Sequence, residues 1–369
     1  MPDRVRVGVI GTSWYADLMH LPALVSHPHV ELRAICGRNR EQAEVMARKY
    51  GIPQIYTDYR ALIEQSAIDA LVIAVPDDLH YPITMQALDT GLHVLCEKPL
   101  ALSATHARAM YEKAEAVGVK HMTYFTWRWV APHRYAHALV EQGYLGRAFH
   151  AGIRYVGGHG RTADYTWRRD RQHSNGSLGD LGSHAIDLAR WYVGDISRVS
   201  CHIAHAIERS GPAGTPLDPS GDAAMLVVEF TNGAQGTIQV SDIAYVADRI
   251  QEQRIVLHGT GGTLEVDMTY IDTEVRGARD GEQHIRPLPI PAELWGSAPP
   301  AASFHQQLLA PFTSLPVGTR AFIDAIRHDL PITPSFYDGW QAQEVIDAAR
   351  RSHETGQWVN IPGDTQAAS

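Results

Sequence analysis

The arrangement in this chain best suited to moving a proton is Asp180 four residues ahead of His184, with Asp187 three further on. If the segment is helical from about Asp180, the three side chains share a face. A carboxylate one turn before an imidazole orients it and stabilises its protonated form. Histidine is also the side chain that most readily gains and loses a proton near neutral pH. The same spacing suits an N-capping aspartate followed by a hydrogen-bonded structural histidine, so the pattern alone leaves both readings open. A second candidate is Lys98, in Glu97-Lys98-Pro99. Beside Glu97 it could form only a surface ion pair. Its position argues for chemistry, because it follows a short apolar run that reads as a parallel strand, and open α/β sheets bind ligands beyond the carboxyl ends of such strands.

A third feature would hold a cofactor. The run Val5 to Ile10 leads into Gly11-Thr12-Ser13-Trp14-Tyr15-Ala16, and a strand, a glycine turn and a helix start form a cradle of backbone N–H groups for a pyrophosphate. Gly11, Ser13 and Ala16 occupy the three places of the G-x-G-x-x-G pattern, which makes the match imperfect. An acidic residue that would bind an adenosine ribose is expected about 20 residues on. That region reads Cys36-Gly37-Arg38-Asn39-Arg40, with two guanidinium groups and no carboxylate. Charge-assisted contacts to a 2′-phosphate contribute roughly 1.5–3 kcal/mol each, so NADP(H) is expected in preference to NAD(H). The alternative is that both arginines are solvated at a helix start and NAD binds without the carboxylate. Val75 and Pro76, at the end of another predicted strand, complete the rim.

The elements that must position these groups follow from periodicity. Up to about residue 122, β-branched runs at Val5 to Ile10, Val30 to Cys36, Ala70 to Val75, His93 to Cys96 and Lys120 to Phe125 alternate with helical stretches. Those stretches, Glu41 to Tyr50, Tyr81 to Asp89 and Ala104 to Ala116, are followed closely by Gly51, Gly91 and Gly118, the signature of left-handed helix ends. The expected fold is an α/β Rossmann domain with a parallel sheet over residues 1–122. Residues 123–369 are expected to form an α+β domain that binds substrate and drives oligomerisation. There the pattern turns to two-residue alternation, at Ala148 to Val156, Val199 to Ala206, Ala223 to Phe230, Ala234 to Ser241, Gln253 to His258 and Thr263 to Asp267. Asn232-Gly233 and Gly261-Gly262 mark hairpin turns, and the sheet should be large, open and mostly antiparallel. Gly211 to Gly221 and Pro287 to Pro300 read as surface loops, and Val317 to Arg327 and Trp340 to Thr355 as helices.

Composition narrows the partners. Lys plus Arg number 32 against 41 Asp plus Glu, a formal charge of -9, which argues against a general nucleic-acid binder. No apolar run approaches the 18 or so residues of a membrane span, and three scattered cysteines suggest neither disulfides nor a thiolate site. A cytoplasmic protein with a small-molecule partner is expected. His133 and His137 have the i, i+4 spacing of a metal site but no third ligand nearby, so no metal is expected. A long open sheet suggests burial against another subunit, giving a homodimer or homotetramer.

Taken together, the G-T-S-W-Y-A loop, E-K-P at 97–99, W-R-W at 127–129, W-R at 167–168 and D-L-G-S-H-A-I-D at 180–187 resemble the Gfo/Idh/MocA oxidoreductases, the family of glucose-fructose oxidoreductase and inositol 2-dehydrogenase. The resemblance implies hydride transfer between a nicotinamide and a secondary alcohol or carbonyl on a sugar, sugar derivative or cyclitol. It gives Lys98 the reacting hydroxyl, Asp180 the positioning of substrate and His184 the acid/base role. It adds Trp14, Tyr15, His80, Glu97, Trp167 and Arg168 as cofactor or substrate neighbours, with Arg128 of the W-R-W block a substrate contact or a packing residue. Ser13 in place of glycine and Thr126 in place of the usual asparagine depart from the family pattern. Two other activities fit the same residues: glycoside cleavage by transient oxidation with the nicotinamide retained, and non-catalytic cofactor sensing.

Overall fold

The computed structural model describes residues 4–299 and 301–362. The described residues divide into two compact units, one made of those up to Trp129 together with Leu309–Trp340, the other of those from Val130 to Leu308 and from Gln341 to 362.

Among the described residues, the first unit has a six-stranded parallel sheet. Its strands are β1 (Val5–Ile10), β2 (Val30–Cys36), β3 (Gln54–Tyr56), β4 (Ala70–Ile73), β5 (His93–Glu97) and β6 (His121–Tyr124), in spatial order β3-β2-β1-β4-β5-β6. Five of the six were expected; β3 has only three residues, too few to show a period. All four residues of β4 are buried, as a strand covered on both faces must be. The connecting helices are α1 (Leu21–Val25), α2 (Arg40–Tyr50), α3 (Tyr59–Gln65), α4 (His80–Asp89) and α5 (Ala104–Val117). Asn39 and Ser103 cap α2 and α5 through their side chains, and Gly51 and Gly118 close them in the left-handed conformation.

The chain returns to this unit late. Helix Thr319–His328 buries Phe322, Ile323 and Ile326 against β1, β5 and β6. Phe336 and Trp340 join the core beside Leu100 and Ala107, with the Trp340 ring stacked on Tyr111. A single boundary near residue 122 does not capture this return. The apolar face of helix 319–328 finds its complement only on a sheet formed far earlier in the chain.

The second unit has, among the described residues, a nine-stranded mixed sheet. Its elements are α6 (Ala131–Glu141), β7 (Ala148–Gly157), α7 (Gly176–Asp180), α8 (Gly182–Val193), β8 (Ile196–Ala204), β9 (Ala223–Phe230), β10 (Gln235–Ser241), β11 (Gln251–Gly259), β12 (Gly262–Thr269), β13 (Thr273–Arg279), β14 (Arg286–Pro287) and β15 (Val359–Asn360). The strand order is β14-β13-β12-β11-β7-β10-β9-β8-β15, antiparallel except where β10 runs parallel to β7. β13 was not anticipated. The β11–β12 turn falls at Thr260-Gly261, one residue earlier than expected, since Gly259 pairs with Gly262. Gly211 to Gly221 is largely loop, with a short helical turn at Pro212–Gly214. Pro287 ends β14, and the chain from Leu288 to residue 299 is again largely loop, with a short helical turn at Ala292–Trp295; Pro300 lies outside the described residues.

Alternation sets the two faces of this sheet. In β9 and β10 every second residue is buried, and α7 and α8 pack on that side. The opposite side presents Met225 at 60% and Val227 at 47% exposure, the pattern of a sheet with one covered face. No helix among the described residues is long and apolar enough to cross a membrane.

His133 pins α6 to both layers of the second unit. It is fully buried, with Nδ1 2.8 Å from the Tyr192 hydroxyl on α8 and Nε2 2.9 Å from Gln253 Oε1 on β11. His137, one turn on, stacks against Trp191 at 3.8 Å. Burial lowers the His133 pKa from 6.5 to about 4. The unfolded chain therefore takes up this proton first, and stability falls as the pH drops from about 6.5 towards 4. By pH 4 the loss from this group should reach about 3 kcal/mol. Urea unfolding between pH 7.5 and 4 should show a shallower acid slope for His133→Gln than for the unsubstituted protein; identical slopes would contradict this.

Candidate active site

In the first unit the carboxyl ends of β2, β1, β4 and β5 lie side by side, with the reversal of strand order between β1 and β4, the position where such sheets bind ligands. Gly11 ends β1 with φ +126°, and a Cβ there would overlap the carbonyl oxygen of Ala74 just past β4. Its N–H donates to Cys36 O at 2.9 Å. Gly37 ends β2, and a Cβ on it would run into the Thr12 side chain. The turn thus needs both glycines to let three strand ends close up around it.

The chain is helical from Trp14 to Val25, with its second turn π-wound at Ala16–His20. Ser13, the departure from the glycine pattern, is exposed at the helix start. Its Oγ accepts the Ala16 N–H at 3.4 Å and its carbonyl the Asp17 N–H at 3.2 Å. A small capping side chain therefore does locally what glycine would leave to solvent. Trp14 is 67% exposed on the rim. Tyr15 shares a short hydrogen bond with Thr126, so the threonine in the usual asparagine position has a definite partner. With its tight glycine turn, fresh helix start and exposed Ser13 and Trp14, this end of the sheet fits a dinucleotide.

Not every expected rim residue lies on the rim. Arg38 is exposed, and Arg40 pairs with Glu44 along its own helix at 2.9 Å. Val75 and Pro76 are half-buried at the end of β4. His80 is fully buried, with Nδ1 2.8 Å from Pro99 O and Nε2 3.0 Å from Val75 O. It ties together the loops after β4 and β5, and burial holds its pKa below the ordinary imidazole range. Glu97 points inward as well: Oε1 lies 2.8 Å from His20 Nε2, whose Nδ1 meets Thr319 Oγ1 at 3.0 Å, while Oε2 accepts the Lys98 N–H at 3.3 Å. Lys98 follows, partly exposed, and leads into a cis peptide to Pro99. Arg128 is buried against Asp338 at 2.9 Å and Thr333 at 3.3 Å, a packing position within the first unit.

In the second unit Asp180 ends α7 and His184 lies in the first turn of α8. Leu181 N–H bonds to Ser177 O at 3.0 Å and Ala185 N–H to Leu181 O at 3.1 Å, so the backbone stays helical across the joint and the two side chains stand one turn apart. The helix begins at Gly176, earlier than the expected start at Asp180. Gly176 has φ +60°, and a Cβ there would overlap the carbonyls of Ser220 and Gly221. Asp187 is buried.

His184 is largely buried, its ring centroid 6.2 Å from that of Tyr155, whose hydroxyl donates to Gln251 Oε1 at 3.0 Å. Asp180 Oδ2 is approached by His159 Nε2 at 3.3 Å and by Arg168 Nε at 3.7 Å, and the Arg168 guanidinium lies 4.3 Å over the Trp167 ring. Burial, helped by the charge of Asp180, pushes the Tyr270 phenol up to about 12, so it stays protonated in the physiological range. His20, Thr319, Tyr155, His159 and Tyr270 belong to no motif in the sequence. Tyr155 could have been found as an inward position on the alternating strand β7; the others have partners too distant in the chain.

Two family descriptions match the chain: "Oxidoreductase family, NAD-binding Rossmann fold" over residues 5–125 and "Oxidoreductase family, C-terminal alpha/beta domain" over residues 137–361. Levoglucosan dehydrogenase of Pseudarthrobacter phenanthrenivorans is 29% identical over 360 residues, 89% of each chain. A D-xylose 1-dehydrogenase (NADP(+)) of Haloferax volcanii is 30% identical over 272 residues, covering 71% of this chain and 76% of the relative. The solved structure of a levoglucosan dehydrogenase in complex with NADH and levoglucosan superposes with a TM-score of 0.85 at 26% identity, covering 98% of this chain and 100% of the other. Sequence motifs, the two folds and these matches agree: the chain belongs to the Gfo/Idh/MocA oxidoreductase family.

Proposed function

We propose that the protein is an NAD(P)-dependent dehydrogenase of a sugar or sugar derivative, interconverting a secondary alcohol and a carbonyl. The observation that carries this reading is the placement of Asp180 one helical turn before His184 at the α7–α8 joint, in a chain similar to a levoglucosan dehydrogenase and a D-xylose 1-dehydrogenase. Gly11, Thr12, Ser13, Trp14 and Tyr15 hold the pyrophosphate side of the cofactor. Gly37 and Arg38 hold the adenosine ribose, and Val75, Pro76, Trp167 and Arg168 the remaining contacts. His80 and Glu97 support those loops from inside. When bound, the nicotinamide supplies a two-electron hydride acceptor.

The chain's own residues handle the proton. His184 takes it from the reacting hydroxyl as the carbinol carbon gives up hydride, so that alcohol and NAD(P)+ become carbonyl, NAD(P)H and a proton. Lys98 donates a hydrogen bond to the same oxygen and favours its alkoxide character. Asp180 accepts from a neighbouring hydroxyl and fixes which carbon faces the cofactor. NADP(H) is the favoured cofactor, because Arg38 stands exposed beside the Gly37 turn while Arg40 is engaged by Glu44. The open sheet face with Met225 and Val227 is the surface through which we place a homodimer or homotetramer. The three free cysteines suit a cytoplasmic setting.

A spectrophotometric screen of levoglucosan, aldoses, glycosides and cyclitols against both cofactors should show stoichiometric reduced nicotinamide with a sugar or sugar derivative. Turnover of a glycoside with no net absorbance change would instead indicate transient oxidation. Fluorescence titration should give tighter NADPH than NADH binding, and Arg38→Ala should reduce that preference about tenfold or more; tighter NADH binding by the unsubstituted protein would contradict the cofactor assignment. Sedimentation at micromolar concentration should show a dimer or tetramer, and a monomer would overturn the proposed interface.

A further inference from the structure

Asp180 meets a residue that neither the motif nor the proposed mechanism accounts for. His159 lies on the loop leaving β7, half exposed at 48%, with Nε2 3.3 Å from Asp180 Oδ2. Behind it, the Nδ1 side of the ring rests on Gly157, close enough that a Cβ there would sit 3.4 Å away.

The loop that carries His159 is unusually well fastened for a surface segment. Gly160 N–H donates to Asp242 O at 2.7 Å. Arg209 donates through Nη2 to Gly160 O at 2.5 Å and through Nε to Thr162 O at 3.1 Å, and Arg161 Nη1 donates to Ile243 O at 3.0 Å. Two buried ion pairs stand behind these contacts. Arg169 pairs with Asp242, and Arg209 pairs with Asp222 at 2.5 Å, while Asp222 also accepts the N–H groups of Ala206 and Ile207 at 2.8 and 3.0 Å. Gly160 is fixed by the same packing, since a Cβ would overlap both Arg169 and Asp242. Taking two ion pairs out of water costs several kcal/mol per ion before their attraction is counted, an arrangement that a loop with no positional task does not need. What the fastened loop presents to the site is the imidazole of His159.

We propose that His159 is a positioning residue for the substrate-binding carboxylate: its Nε2, held by the clamped 157–162 loop, fixes the rotation of Asp180 and so the directions in which that carboxylate accepts substrate hydroxyls. This rests on the reading of Asp180 as substrate-binding. Arg168 Nε approaches the same oxygen at 3.7 Å, so two nitrogen groups meet that carboxylate oxygen, one of them on the clamped loop. His159 itself does not touch the reacting atoms.

The test measures turnover of levoglucosan and methyl β-D-glucopyranoside with NAD+ and NADP+ in the unsubstituted protein, His159→Leu, His159→Gln, Asp180→Asn and the Asp180→Asn/His159→Leu double variant. His159→Leu should lower kcat/KM by about three- to fivefold, mainly through KM, the weight of one polar contact to a carboxylate from an imidazole that is half open to water. His159→Gln, which keeps an N–H donor at that reach, should restore most of the loss. In the Asp180→Asn background the leucine substitution should have no further effect. Full activity in His159→Leu, no recovery in His159→Gln, or an undiminished leucine effect without the carboxylate would each overturn the proposal. Full activity in Asp180→Asn would instead overturn the role of Asp180, a separate failure. If neither sugar is turned over, crystal structures decide: an Asp180 side-chain torsion unchanged between the unsubstituted protein and His159→Leu overturns the proposal.

Discussion

A buried charge must be paired, because moving an ion out of water costs far more than folding can leave unrecovered. In this protein that constraint fixes the loops from which the site is built. Glu97 is held by His20, and through it by Thr319, which lies 299 residues from His20 in the chain. Arg128 is held by Asp338, Arg169 by Asp242 and Arg209 by Asp222. Each pair joins separate segments of the chain, and each anchors a turn that carries or backs a proposed site residue. Removing one partner of such a pair typically costs about 3–5 kcal/mol, because the other is left charged in a dry place.

The division of labour between glycine and charge is consistent across both units. Where backbone must approach backbone, as at Gly11 beside Ala74 and Gly176 beside Ser220 and Gly221, a missing Cβ and a positive φ are the device. Where a side chain must be aimed, as with Lys98 after Glu97 or His159 over Gly157, the backbone that carries it is held by buried polar groups. Ser13 shows that the first device is not absolute. A capping hydroxyl can replace glycine where the helix start leaves room.

Much of this was legible in the sequence because it depends on local pattern. Long strands with a clear period, helices stopped by Gly51 and Gly118, and the D-x-x-x-H spacing all appear in the structure close to where periodicity places them. The three-residue β3 and the start of α7 at Gly176 were missed, since neither contains a full period. The inward turns of Glu97 and His80 were also hidden. Glu97 ends β5 and His80 opens α4, places where a rim position and a buried position differ only by a rotamer, and the partners that decide it, His20, Pro99 and Val75, leave no mark on their neighbours in the chain. The return of Leu309–Trp340 to the first unit was illegible for a similar reason. A helix declares that it has an apolar face but not which sheet will cover it.

In the proposed mechanism Lys98 and His184 act on the reacting hydroxyl and do not merely shape the cofactor site. The most direct measurement is the single-turnover rate of nicotinamide reduction, at saturating cofactor and sugar, in Lys98→Met and His184→Ala. The account predicts cofactor affinity close to that of the unsubstituted protein in both variants, with reduction slowed about 100-fold or more. Reduction at the original rate in either variant would contradict it.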